Sequence, residues 1–136
     1  HRLLAFREAG IEPCVVVETR ASMLQEGIAA GHLALSHPSA PTAIVCQSDM
    51  LAAGALLAAR ELELDVPGDV SITGFDGIEL AWLESAQLTT VVQDSAKKGH
   101  LIAQAVKGLL DGDEPTILEL GLDVRIGTTT GPARNR

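Results

Sequence analysis

The 136-residue chain predicts an α/β fold, a parallel sheet flanked by helices. Three observations carry that expectation. Short β-branched apolar runs recur along the chain. Amphipathic segments of a dozen or more residues separate the first three of them, long enough for the crossovers that parallel strands need. Small polar residues follow each run, where ligands sit in open parallel sheets, beyond the carboxyl ends of the strands.

Leu3, Leu4 and Phe6 have helical spacing, and Gly10 stands where a C-terminal cap belongs. A helix already under way at the first residue, without initiator Met or signal pattern, reads as a piece of a longer protein. Cys14 to Glu18 (C-V-V-V-E) follows Pro13 as a strand buried on both faces. Ser22 to His37 is a helix with Met23, Leu24, Ile28, Ala29, Leu33 and Leu35 on its apolar side, ended by Pro38 and Pro41. Thr42 to Cys46 is the second buried strand. Ser48-Asp49 then occupies an N-cap position for an Ala/Leu-rich helix from Met50 to Glu63. Val66-Pro67-Gly68-Asp69 is a turn. Val70 to Thr73 is a third strand, leading into Gly74-Phe75-Asp76-Gly77, and Ile78 to Glu84 is compatible with a short helix. Leu88 to Val92 is a fourth extended run. Asp94 or Ser95 opens a helix to about Leu110 with Leu101, Ile102, Ala105, Val106 and Leu109 as its stripe. Asp111 to Pro115 breaks it, Thr116 to Thr128 is extended, and the tail from Gly131 is polar. No internal repeat or low-complexity run occurs.

Composition narrows the function classes. Apolar residues make up 46% and charged residues 21%, which is globular and not disordered. Ten Lys and Arg against 18 Asp and Glu leave a net charge of −8, which opposes binding of a phosphate backbone by this stretch. Phe6, Phe75 and Trp82 are too few for a base-stacking platform. No apolar run approaches the ~18 residues of a membrane helix. Cys14 and Cys46 match no zinc spacing and read as buried, reduced thiols on strands.

Nor do the usual chemical motifs occur. There is no G-x-G-x-x-G, no P-loop and no G-x-S-x-G elbow. His1, His32, His37 and His100 are scattered, so nothing calls for a metal or a cofactor. Asp111, Asp113 and Glu114 form a solvated turn. Two features stay open. Asp76, at the carboxyl end of a strand, can accept two hydroxyl hydrogen bonds from a sugar, or can serve an Asx turn or helix cap. Ser48-Asp49 can likewise bind or cap. Arg2, taken alone, is a solvated charge.

Pro67-Gly68-Asp69-Val70-Ser71-Ile72-Thr73-Gly74-Phe75-Asp76, with Leu88-Thr89-Thr90-Val91 twelve residues after Asp76, resembles the signature of the LacI/GalR (lactose/galactose repressor) transcriptional regulators. Pro41 to Asp49, followed by Ala52-Ala53-Gly54-Ala55, resembles that family's preceding strand and helix. Arg2-Leu3-Leu4-Ala5-Phe6 is similar to its R-x-x-G-F segment, and Arg125-Ile126-Gly127-Thr128-Thr129 to its closing R-x-S-T strand. The matches span Arg2 to Pro132. Departures are Ser48 for the usual Asn, Gly77 for a frequent second Asp, Ala86-Gln87 for a Pro pair and Ala5 for Gly.

The resemblance implies a fragment of a two-lobed, periplasmic-binding-protein-like (type I) effector domain. Residues 1–92 would belong to the C-terminal lobe, 93–122 to a crossover helix and segment of the other lobe, and 123–136 to a return strand and tail. It implies effector contacts at Arg2, Arg20, Ser48, Asp49, Asp76 and Gln93, with Arg20 the loosest match. It implies a homodimer interface at Ala52, Ala53, Leu56, Leu80, Trp82 and Leu83, although Trp82 could equally plug the end of the sheet. The function implied is a cytoplasmic, non-enzymatic sensor of a sugar or nucleoside-like effector. Operator DNA would be bound through a helix-turn-helix domain outside this segment. The rival readings are a secreted sugar-binding protein of a transporter and an α/β enzyme using Asp76. The stripe from Leu101 to Leu109 must find cover on another part of this chain or on a partner, because burying such side chains yields about 1.5–3 kcal/mol each.

Overall fold

A computed structural model describes residues 2–80 and 86–133; the side chain of Arg2 lies outside that description. Among the described residues, four helices and four strands follow in chain order. They are α1 (Arg2–Glu8), α2 (Leu24–Leu35), β1 (Ala43–Val45), α3 (Asp49–Glu61), β2 (Ser71–Asp76), β3 (Thr89–Val92), α4 (Ser95–Asp111) and β4 (Asp123–Arg125). The sheet order is β1-β2-β3-β4. The first three strands are parallel, and β4 returns antiparallel to β3 with Val91 opposite Val124.

The register places Ile44 beside Ile72 and Gly74 beside Thr90, so these residues share one face. On that face α3 lies across the sheet. Its Ala52, Ala55, Leu56 and Ala59 close over Val70, Ile72 and Leu88. The alanines bring the α3 backbone close to the strands. Behind α3, α2 crosses at still shorter range, where Gly27, Gly31 and Gly54 face one another's backbones. A Cβ on Gly54 would lie 2.5 Å from Gly27 C, Ile28 N and Leu24 O. An exposed hydrogen bond between His32 Nε2 and Glu61 Oε2 at 2.6 Å joins the C-terminal ends of the two helices.

Thr129 locks the other end of the sheet. It is fully buried, and its Oγ1 donates to Ile72 O (2.7 Å) while accepting from Thr89 N (3.0 Å). Its carbonyl also accepts from Ile72 N at 2.8 Å. Thr129 thus sits between β2 and β3 just before they begin to pair at Thr73 and Thr89.

Several expectations need correction. Cys14 to Glu18 forms no strand among the described residues. Val15 and Val17 are half-buried while Cys14, Val16 and Glu18 are exposed, so only one side of the run is covered. Its β-branched residues fit a pleated, half-buried surface, and that fit does not itself supply a neighbouring strand. Cys14 is accordingly an exposed thiol, not a buried one. Val45, on the face away from α3, is 55% exposed. Of the run 116–128, only Asp123–Arg125 pairs. The third strand is longer than expected and carries Gly74, Phe75 and Asp76 within it.

Cys46, just past β1, is different. It packs against the core, and burial, with the neighbouring Asp49 charge adding, pushes its thiol from 9.0 up to about 12. A folded-state value above the unfolded one favours the fold while the thiol stays protonated. That contribution is complete below 9.0 and is lost as pH rises toward about 12. The thiolate is the reactive form, so a disulfide reagent near pH 8 should label Cys14 and spare Cys46. One reactive thiol per native chain and two in denaturant is the expected count. Two in the native chain would contradict this burial.

The helix α4 runs as expected, with Asp94 Oδ1 capping it by accepting from Lys97 N (2.9 Å) and Gly112 (φ +93°) ending it. Among the described residues its stripe is only partly covered. Leu101 and Ala105 are half-buried beside the 116–122 segment, but Ile102, Val106 and Leu109 remain about half exposed. Between them lies an open apolar groove that includes Leu118, Leu120 and Leu122, with Gln93 and Lys98 also on its wall.

Candidate functional site

The polar residues that sequence places after each strand fall into two groups, one buried and one open. At the end of β2, Asp76 adopts φ +124° and Gly77 φ +77°. A positive φ costs a non-glycine residue about 1–3 kcal/mol and persists only where the surroundings enforce it, most often at sites of function. Gly77 has no room for a side chain, since a Cβ would come 2.8 Å from Val92 Cα.

The neighbouring strand end meets Asp76. Gln93 Nε2 donates to Asp76 Oδ1 at 2.8 Å, and Gln93 N donates to Asp76 O at 3.2 Å. From the first turns of α4, Lys98 Nζ donates to Gln93 Oε1 at 3.2 Å. Asp76 and Gln93 are both half-buried. Together they form a short polar row of carboxylate, amide and ammonium that reaches from the β2 terminus to α4. A carboxylate accepts up to four hydrogen bonds, and an amide both donates and accepts, so this row suits neighbouring hydroxyls. Lys98 was not anticipated. The spacing from Asp94 places it on α4, but only the fold shows that it reaches Gln93.

The other group is structural. Ser48 is 5% exposed, and its Oγ accepts from Leu51 N at 3.2 Å, capping α3. Asp49 was expected to contact an effector, and the structure corrects this. It has no exposed surface. Its Oδ2 accepts from Ile78 N at 2.7 Å and its Oδ1 from Thr90 Oγ1 at 2.5 Å. Both oxygens are therefore engaged inside the protein. The capping alternative that the sequence left open describes Ser48, while Asp49 joins α3 to the loop after β2 and to β3.

Arg20 is exposed in the loop before α2, where its backbone N–H donates to Glu26 Oε2 at 3.1 Å. No recorded hydrogen bond joins it to Asp76 or Gln93. The side chain of Arg2 lies outside the described residues, so that expected contact receives no geometry. Arg125 holds the loop from its other side, donating to Ile78 O (3.2 Å) and Glu79 Oε1 (3.3 Å).

The expected dimer interface also changes. Ala52 and Ala53 are fully buried and Leu56 is 9% exposed, so all three are core residues of a single chain and cannot meet a partner. Their small size serves close helix–sheet packing. Leu80 is partly buried against the same core. Trp82 and Leu83 lie outside the described residues, as does most of the short helix expected from Ile78 to Glu84.

Comparison with known proteins accounts for this architecture. The family described as the periplasmic binding protein-like domain matches residues 2–130. An HTH-type transcriptional regulator of Mycobacterium tuberculosis is 35% identical over 130 residues, covering 94% of this chain and 36% of that protein. A crystal structure of a LacI transcriptional regulator from a Rhodococcus species superposes with a TM-score of 0.85 at 30% identity, over 96% of this chain and 49% of that one. A LacI family regulator from an Arthrobacter species, solved in complex with lactose, superposes with a TM-score of 0.78 at 26% identity, over 93% of this chain and 48% of that one. The chain thus spans about a third of that curated relative and about half of those solved chains. It belongs to the periplasmic binding protein-like domain family, in the form found in LacI-type transcriptional regulators.

Proposed function

We propose that this segment is part of the effector-sensing domain of a cytoplasmic, DNA-binding transcriptional regulator, and that a small polyhydroxylated effector, a sugar or nucleoside, binds at Asp76 and Gln93. The observation that carries the proposal is the backbone of Asp76, held at φ +124° at the carboxyl end of β2 with Gln93 on its carboxylate. Arg2 and Arg20 are further candidate contacts. Ser48 contributes by holding the first turn of α3. The relative solved with lactose supports the sugar class.

Effector binding would act on operator affinity through the relative placement of two lobes, a coupling between binding sites and not a reaction. The polar row supports this, because Gln93, in the 93–122 segment that would belong to the second lobe, donates to Asp76 in the first. The net charge of −8 opposes phosphate-backbone binding by this segment, which supports DNA contacts made elsewhere in the protein. A homodimer would use the 80–83 region rather than α3. The relatives are regulators, which favours this reading over a secreted transport protein and over an enzyme.

Thermal unfolding of the full-length protein tests the proposal, with lactose, glucose, sucrose, adenosine and cytidine as probes. A probe at 100 times its dissociation constant should add about 2.7 kcal/mol. That stabilisation should vanish in Asp76→Ala. A probe that stabilises Asp76→Ala as well as the wild type would remove Asp76 from the site.

A further inference from the structure

We propose that Asp49 is a positioning residue for Asp76: its buried carboxylate clamps the loop on both sides of that residue and enforces its strained backbone. The inference rests on the reading of Asp76 as an effector contact, and it assigns to Asp49 a role that involves no contact with the effector.

Three contacts converge on Asp49. Two residues after Asp76, Ile78 N donates to Asp49 Oδ2 at 2.7 Å. Two residues before it, Gly74 leaves open the space that Asp49 Oδ1 fills; a Cβ there would collide with that oxygen. From the neighbouring strand, Thr90 Oγ1 donates to Asp49 Oδ1 at 2.5 Å. Thr90 lies opposite Gly74 in the parallel register. The same side chain thus bonds the chain at position 78 and packs over it at position 74, and Asp76 sits midway with φ +124°.

The chemistry favours this residue type. A carboxylate accepts from two donors at once, and charge-assisted bonds are about twice as strong as neutral ones. Asp49 has no exposed surface, so water does not compete for its oxygens. The carboxylate lies in the first turn of α3, where the helix dipole favours a negative charge. A buried anion is stable only while its hydrogen bonds are made, which ties the seat of α3 to the shape of the loop. Arg125, donating to Ile78 O, closes the same residue from its carbonyl side.

The test uses the full-length protein and two readouts that need no effector. They are crystal structures of the variants and amide exchange at Ile78 compared with Ile72 in the core. In Asp49→Ala, Asp76 should relax to negative φ and part from Gln93. Exchange at Ile78 should rise about 10- to 100-fold over any change at Ile72, as expected for a lost bond to a charged group. Asp49→Asn should restore both, because its amide oxygen accepts from Ile78 N and its NH2 can donate to Thr90 Oγ1. If Asp49→Ala does not fold, Thr90→Val removes one of the two bonds while leaving the carboxylate. Its Ile78 amide should then show a smaller but selective rise in exchange. An Ile78 amide whose exchange rises no more than that of Ile72 in either variant, or an Asp76 that keeps φ +124° in Asp49→Ala, overturns the proposal. Lactose, glucose, sucrose, adenosine and cytidine separate the two readings. If the loop relaxes in Asp49→Ala and a stabilising probe still binds as in the wild type, Asp76 is not its contact, while the positioning role stands.

Discussion

Gly54→Val should destabilise the protein by about 3 kcal/mol or more, well above the effect of an ordinary surface substitution. The atoms that a Cβ at 54 would meet at 2.5 Å are Gly27 C, Ile28 N and Leu24 O, all of them backbone. A backbone cannot rotate aside as a side chain can. The α2–α3 crossing would have to open. Gly27, with Leu51 O 2.6 Å from its would-be Cβ, makes the same demand from the other helix. Gly99, in the open reach of α4, is the control. Nothing lies within 4 Å of its Cβ position, so Gly99→Ala should be neutral or stabilise by up to about 1 kcal/mol. Urea unfolding of the full-length protein reads both. A wild-type midpoint for Gly54→Val would mean that the two helices do not cross this closely.

Gly74→Ala should cost about 2–4 kcal/mol, from overpacking together with the hydrogen bonds it breaks. The new methyl falls on Asp49 Oδ1 and also lies 2.8 Å from Leu88 Cδ2. Leucine can shift, but Asp49 can move only by giving up Ile78 N and Thr90 Oγ1. The effect should be strongly non-additive with Asp49→Ala, since the second substitution removes the obstacle that the first one meets. Contacting residues of this kind show coupling of about 0.5–3 kcal/mol in a double-mutant cycle. Additive costs would show that Asp49 does not occupy the space above Gly74. The same Gly74→Ala protein should also lose the stabilisation by any probe that requires Asp76, because the loop and the seat of Asp49 change together.

Local sequence determined most of the elements and their class. The apolar periods of residues 24–35, 49–61 and 95–111, the caps at Ser48, Asp94 and Gly112, and the β-branched run at 89–92 each depend on neighbours along the chain. Those are the interactions that a sequence displays directly. The place of the candidate site in the fold was legible for the same reason, because a polar residue at the end of a parallel strand lies at the sheet's carboxyl edge, as Asp76 and Gln93 do.

Tertiary structure decided which of the polar residues face each other and which serve the interior. Ser48-Asp49 and Asp76 look alike in sequence, as small polar residues following strands. Only the register that sets Gly74 beside Thr90 shows that Asp49 is enclosed while Asp76 meets Gln93. Ala52, Ala53 and Leu56 look equally suited to a core or an interface, and the packing of α3 within the fold made them core. The run at Cys14 to Glu18 has strand composition without a ladder, because a strand is completed by the hydrogen bonds of a neighbour and not by its own side chains. Contacts between residues 29 positions apart, such as Asp49 and Ile78, or 41 apart, such as Asp49 and Thr90, have no local signature. They arise only when the sheet brings separate chain segments side by side.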